Sequence, residues 1–137
     1  MIVVDTNVLS ELMRPAPNAQ VVAWLRNNAA VIAIPSVVIG ELRYGVARLP
    51  AGKRKESLSA ALDALVERFS GSLIAYDVLA ANACGAMLAT AEAAGRPMNL
   101  ADAQIAGCAQ IARAALATRN VADFVTTGLK IMDPWSS

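Results

Sequence analysis

Four carboxylates stand where chemistry could use them. Asp5 directly follows the apolar run Ile2–Val4, and Glu41 lies within Pro35-Ser-Val-Val-Ile-Gly-Glu-Leu-Arg-Tyr-Gly45. Asp102 comes three residues after Asn99, and Asp123 follows Ala115–Ala117 by one short turn. Taken singly, each has an ordinary alternative. Asp5 and Asp123 could cap helices, Asp102 could serve only a helix dipole, and Glu41 could be a solvated helix residue. Taken together they lack nearby basic partners, with only Arg119 at four residues before an acid, Asp123. Gathered carboxylates repel one another and lose hydration, and a hard divalent cation resolves that conflict. Oxygen-only donors favour Mg2+, with Mn2+ as a substitute, over zinc. The chain has no histidine. That excludes Ser-His-Asp and Cys-His catalysis, histidine-bound zinc and the paired-histidine route of RNA cleavage.

The elements that must position these acids alternate short apolar runs with longer helical ones. Strands are expected at Ile2–Val4, Ala30–Ile34, Leu73–Ala75, Ala115–Ala117 and, as an edge, Lys130–Met132. Helices are expected over about Asn7–Met13, through Val21–Leu25, from Ser36 as cap to about Leu49, and over Lys53–Phe69. Two more are expected over Val78–Ala94 and Leu100–Arg113, with a short turn or helix at Val121–Phe124. Strands separated by helices imply parallel pairing with helices on both faces. The expected class is therefore α/β, a sandwich around a short, mainly parallel sheet. Ligands of such sheets bind at the carboxyl ends of the strands, which brings the four acids to one edge. Gly40 and Gly45 flank Glu41, and each weakens a helix by about 1 kcal/mol relative to Ala, so a close backbone approach is expected there. Glu41 itself, with Val37, Tyr44 and Gly45 on its face, is expected at the edge of the core.

Composition bounds the rest. At 137 residues, 1–137 is expected to form one compact domain with a core of its own. The hydrophobic share is 56% and the charged share 17%, so part of the surface is expected to be covered by a partner, most simply a second copy. Net charge is +1, which is no bulk footprint for nucleic acid. Metal ions or a local basic patch would have to supply the positive potential. Arg14, Arg43, Arg48 and the cluster Lys53, Arg54 and Lys55 flank the expected site and are candidate RNA contacts, with a solvated helix start as the alternative. Cys84 and Cys108 sit apart in Ala/Gly-rich helical stretches and read as buried free thiols, which suits a cytoplasmic protein. The N-terminus lacks signal-peptide regions, and the charge-free stretch Val78–Ala91 is too short to span a bilayer, so no membrane association is expected.

Four segments carry a resemblance: Met1-Ile-Val-Val-Asp-Thr-Asn-Val-Leu-Ser-Glu11, Pro35–Gly45, Asn99-Leu-Ala-Asp-Ala-Gln-Ile-Ala-Gly107 and Thr118-Arg-Asn-Val-Ala-Asp-Phe124. In this order and at this spacing they resemble the signature segments of PIN-domain ribonucleases, most closely the VapC/FitB-like toxins of bacterial toxin–antitoxin pairs. The resemblance spans essentially the whole chain. It implies that Asp5, Glu41 and Asp102 are the three core acids and Asp123 the more variable fourth. Asp5 and Asp102 are then direct metal ligands, with Glu41 and Asp123 acting directly or through water. It matches Thr6 and Asn7 to the polar pair after the first acid, and Thr118 and Asn120 to the small polar residues of the fourth segment. It further implies a parallel-sheet α/β/α sandwich, an RNA substrate, a homodimer, and silencing by a cognate antitoxin, in a higher assembly with it.

The reaction expected is metal-assisted phosphodiester hydrolysis. Attack by water should leave 5′-phosphate and 3′-hydroxyl ends. Three other readings compete. An aspartyl phosphatase would want a second Asp two residues after Asp5, where Asn7 stands, and a phospho-receiver would want adjacent acids there. A binding-only scaffold of the same fold has no use for four intact acids.

Overall fold

The computed structural model describes residues 1–136. Its centre is a five-stranded sheet in the order β3-β2-β1-β4-β5, with every pairing parallel. The strands are β1 Ile2–Val4, β2 Ile32–Pro35, β3 Leu73–Ile74, β4 Ala115–Ala117 and β5 Ile131–Met132. They are short and strongly apolar: β1 and β2 are buried along their whole length. Such continuous apolar runs belong to parallel strands covered on both faces. Among the described residues, six α-helices flank the sheet: α1 Thr6–Glu11, α2 Ala19–Asn28, α3 Ser36–Ala47, α4 Lys53–Arg68, α5 Val78–Ala93 and α6 Leu100–Ile111. The α/β sandwich and its parallel sheet are as the pattern of elements implied.

Several boundaries move for physical reasons. The second strand starts two residues later than Ala30, because Ala29–Val31 forms a 3-10 turn, and it extends to Pro35. Pro35, not Ser36, occupies the cap position of α3, and the Ser36 hydroxyl instead accepts the Tyr76 N–H at 3.0 Å. That bond ties the start of α3 to the segment after β3. The first helix is shorter than expected and ends at Glu11. Glu11 is buried, accepting the Asn18 N–H at 2.8 Å and pairing with Arg14 at 3.2 Å. These contacts fasten the turn that leads into α2.

The core gathers Val3, Val4, Leu9, Ile34, Val38, Ile105, Leu116 and Phe124 between sheet and helices. On one side α5 and α6 pack at very close range. A Cβ at Gly107 would lie 2.6 Å from the Ala80 carbonyl oxygen and 3.1 Å from the Cys84 nitrogen. Only glycine permits that approach. The expected close approach at Gly40 and Gly45 is not found: a Cβ at either would meet nothing within 4 Å. Cys84 and Cys108 are free and buried, as their surroundings implied.

Candidate metal centre

The register of the sheet sets the first part of the site. Val4 of β1 stands opposite Ala117 of β4, and the next N–H of the first strand, that of Asp5, still donates to the Ala117 carbonyl at 2.9 Å. Asp5 and Thr118 therefore leave the carboxyl ends of neighbouring strands side by side. The Thr118 hydroxyl donates to Asp5 Oδ2 at 2.8 Å. Asn7 Nδ2 donates to the same oxygen at 3.2 Å, and the Thr6 N–H donates to Asp5 Oδ1 at 2.7 Å. Asp5 is thus the N-cap of α1 and a rigidly held acid at the same time. Thr118 is fully buried, and its oxygen accepts the Asn120 N–H at 3.0 Å. Asn7 Oδ1 accepts the Arg119 N–H at 3.3 Å. The polar residues singled out beside the acids, Thr6, Asn7, Thr118 and Asn120, all belong to this one network.

The other acids arrive from three further segments. Glu41 Oε1 accepts the Thr6 hydroxyl at 2.6 Å, which joins α3 to the first segment. Glu41 is exposed, as are Tyr44 and Gly45 on its face, while Val37 one turn before is half-buried against the core. Asn99 Oδ1 accepts the Asp102 N–H at 2.8 Å and caps α6, which leaves the Asp102 carboxyl free of that duty. Asp123 lies in a 3-10 turn, Val121–Phe124, after β4. Asp102 and Asp123 line one cavity of about 520 Å3.

Electrostatics ties the four together. Burial pushes the Asp102 carboxyl up to about 6, and the charges of Asp5, Asp123 and Glu41 push it the same way. Asp5 is also raised, chiefly by burial; the Thr118 hydroxyl and the Thr6 N–H oppose this, and the Glu41 charge adds to it. Among the described residues no ion pair involves any of the four.

The basic residues divide. Arg43 turns away to Asp63 and Ser59 of α4, and Lys55 donates to the Ala47 carbonyl at 2.9 Å. Arg14 is held by Glu11, and Arg48 lies over the Tyr44 ring at 5.6 Å. Arg54 lines a groove beside Glu41 and Thr6, and Lys53 is exposed at the start of α4. Arg119 lies over the Trp135 ring at 5.1 Å and not on Asp123. The reading of the residues missed Arg96, which shares the cavity of Asp102 and Asp123. A lone arginine after a helix-ending glycine carries no sequence signal of its own.

Residues 2–125 match the PIN domain family. This chain is a PIN-domain protein. It is 36% identical, over all of both chains, to plasmid stability protein StbB of Pseudomonas syringae pv. tomato. It is 33% identical to VapC ribonuclease Y4jK of Sinorhizobium fredii over 98% of each chain. Toxin FitB of Neisseria gonorrhoeae is 34% identical over 98% of this chain and 99% of its own. The crystal structure of FitAcB from the same organism superposes with a TM-score of 0.94 at 33% identity, covering 100% of both chains. The chain therefore belongs to the PIN domain family and groups with its VapC- and FitB-like members.

The donor set of this PIN domain can be tested against a metal. Among the described residues no three acidic, cysteine or histidine side chains form a ready-made ion cage. A hard cation that keeps several waters needs only one or two protein carboxylates directly. Asp5, buried and fixed by three donors, and Asp102, which feels the charge of Asp5 and the other acids, fit that requirement. Zinc with nitrogen or sulfur ligands does not fit, since the chain lacks histidine and both thiols are buried in the α5–α6 pair.

Proposed function

We propose that this PIN-domain protein is a metal-dependent endoribonuclease and the toxin of a toxin–antitoxin pair. One observation carries the reading. Four separate segments bring four carboxylates to the carboxyl edge of a parallel sheet, and among the described residues no basic side chain forms an ion pair with any of them. Family membership supports the toxin role, as do the relatives named toxin and plasmid stability protein. The relative named a VapC ribonuclease supports RNA as substrate.

Asp5 and Asp102 would hold Mg2+ or Mn2+, with Glu41 and Asp123 contributing directly or through water. The bound ion would supply a water of lowered pKa and offset charge on the phosphate. Thr118, Asn7 and the Thr6 N–H keep Asp5 in one orientation, so little reorganisation is needed on binding. The Thr6 hydroxyl aims Glu41 toward the same point. Glu41 and Asp123, both exposed and without resident cations, are the groups free to accept a proton from an attacking water.

The partners proposed are RNA, a cognate antitoxin and a second copy of the chain. A basic side chain from the antitoxin's tail, placed among the four acids, would be a physically sensible inhibitor. Cleavage of single-stranded RNA should require Mg2+ or Mn2+, stop in EDTA and leave 5′-phosphate ends, and Asp5→Asn should abolish it while the protein stays folded. Full activity in EDTA, or a cyclic-phosphate product, would overturn the mechanism.

A further inference from the structure

The cavity shared by Asp102 and Asp123 has a wall that the acids do not explain. It is also lined by Arg96, Met98, Asn99 and Val125. Its volume, about 520 Å3, lies within the roughly 300–1,000 Å3 usual for sites that enclose a small molecule or a nucleotide-sized group.

Arg96 is placed there by backbone geometry. Helix α5 is closed by Gly95, two residues past its end, whose φ is 72° and whose N–H donates to the Glu92 carbonyl at 3.0 Å. The Arg96 N–H then donates back to the Ala91 carbonyl at 2.9 Å. This pair of bonds is the Schellman closure of a helix. Pro97 follows and restricts Arg96 to extended backbone. The backbone of Arg96 is thus fixed, while its side chain is exposed and, among the described residues, enters no ion pair. Asn99, the neighbouring polar side chain, spends its carbonyl oxygen on the cap of α6. Arg96 is therefore the cation of this cavity.

A polyanion approaching four carboxylates meets repulsion, and a net charge of +1 does little to offset it. Of the other arginines near the acids, Arg14 is engaged by Glu11, Arg43 by Asp63 and Arg119 by the Trp135 ring, while Arg54 lines the separate groove beside Glu41 and Thr6. A guanidinium binds a phosphate through paired, charge-assisted hydrogen bonds. Met98 and the 52%-exposed Val125 give the cavity apolar walls of the kind an unstacked base can lie against.

We propose that this cavity is the subsite for one nucleotide of single-stranded RNA flanking the cleaved bond, with Arg96 on its phosphate and Met98 and Val125 against its base. Arg96 is a substrate-positioning residue, and the proposal rests on the nuclease reading above. It also makes the Gly95–Asn99 loop the place where neighbouring sequence is selected.

The test uses the full chain in two arms. In the first, cleavage of a single-stranded oligoribonucleotide library with Mn2+ is compared for wild type, Arg96→Ala, Arg96→Lys, Val125→Trp and the remote control Arg68→Ala. Arg96→Ala should raise KM about tenfold with a much smaller change in kcat. Arg96→Lys should recover part of that loss. Val125→Trp should change the base preference beside the cut, and Arg68→Ala should do neither. In the second arm, binding of the same RNA to the Asp5→Asn variant is followed by fluorescence anisotropy across salt concentrations. Adding Arg96→Ala should flatten the slope of log K against log salt by about 0.7, the contribution of one single-strand phosphate. Cleavage with no dependence of KM, salt slope or base preference on these residues would sink the subsite and leave the nuclease standing. Binding that depends on Arg96 in a protein that cuts nothing would sink the nuclease and, with it, the placement beside a cleaved bond, and keep only Arg96 as an RNA phosphate contact. Neither binding nor cleavage would sink both.

Discussion

Asp102 pays for its position in charge. Its pKa is pushed to about 6 by burial and by Asp5, Asp123 and Glu41, against an ordinary value of 3.8. Between those two values the folded protein binds more protons at this site than the unfolded chain does. Linkage then makes stability fall as pH rises through about 6, and the ionised carboxylate works against the fold at pH 7. Asp102→Asn should therefore raise the Tm of the metal-free protein at pH 7, by the equivalent of about 1 kcal/mol, while abolishing cleavage. A lowered Tm would show that the Asp102 carboxylate stabilises the fold and contradict this account. The same proton competes with a cation. Mn2+ should raise the Tm of wild type at pH 7.5, less so as pH drops below about 6, and hardly at all in Asp102→Asn. Thr6→Val should keep the fold and release Glu41 from its 2.6 Å hydrogen bond. A loss of cleavage of about tenfold is expected, as for groups that orient a metal site, and unchanged kinetics would show that Thr6 does not matter to Glu41. At this scale Asp5, Asp102 and Asp123 were legible because each follows a strand or lies in the first turn of a helix, whereas Glu41 lies inside α3 and only its segment's resemblance singles it out. The basic residues were not legible. Arg43 and Arg96 look alike in sequence, and only folding shows that Asp63 takes the first and a cavity the second.

Helices and strands were readable at the level of existence and order, since apolar runs and glycine or proline breaks mark nearly all of them. What sequence could not place was decided by contacts between distant elements. Ser36 has the chemistry of a cap, yet the Tyr76 N–H, 40 residues away, uses its hydroxyl. The glycines give the clearest contrast. Gly40 and Gly45 sit in an exposed helix face with open space, whereas Gly107 is pressed against the backbone of α5. The local sequences do not distinguish them, because the tightness belongs to the partner helix. Gly107→Ala should force α5 and α6 apart at Ala80 and destabilise the protein by about 1–3 kcal/mol. Gly40→Ala should instead stabilise it, by about 0.5–1 kcal/mol, because it restores helix propensity and meets nothing. Chemical denaturation of the two variants checks both signs, and equal effects would refute the assignment of the close approach to Gly107.

The molecule as a whole leaves apolar surface that its own fold does not cover. Val78 is 85% exposed and Leu79 61%, both at the start of α5. Gly107 packs against Ala80 and Cys84, so Ile111, one turn later on α6 and 42% exposed, lies toward the same end of the helix pair. Along α5, Ala81, Gly85, Ala86 and Ala89 are exposed as well, and the helix bears no charge before Glu92. Exposed apolar residues scattered singly need no explanation, but a charge-free helix face continuous with Val78 and Leu79 does. A second copy meeting this face would be self-complementary, because small residues let like helices approach closely. The homodimer proposed above should therefore use α5. Light scattering on the purified chain should give twice the monomer mass, and Leu79→Arg should give the monomer with an unchanged circular dichroism spectrum. The proposed site draws on the segment after β1, α3, α6 and the turn after β4, and only the loop after α5 reaches it. The monomeric variant should therefore keep its Mn2+-induced rise in Tm. A wild-type monomer would remove the dimer, and a dimer that survives Leu79→Arg would move the interface elsewhere on the molecule.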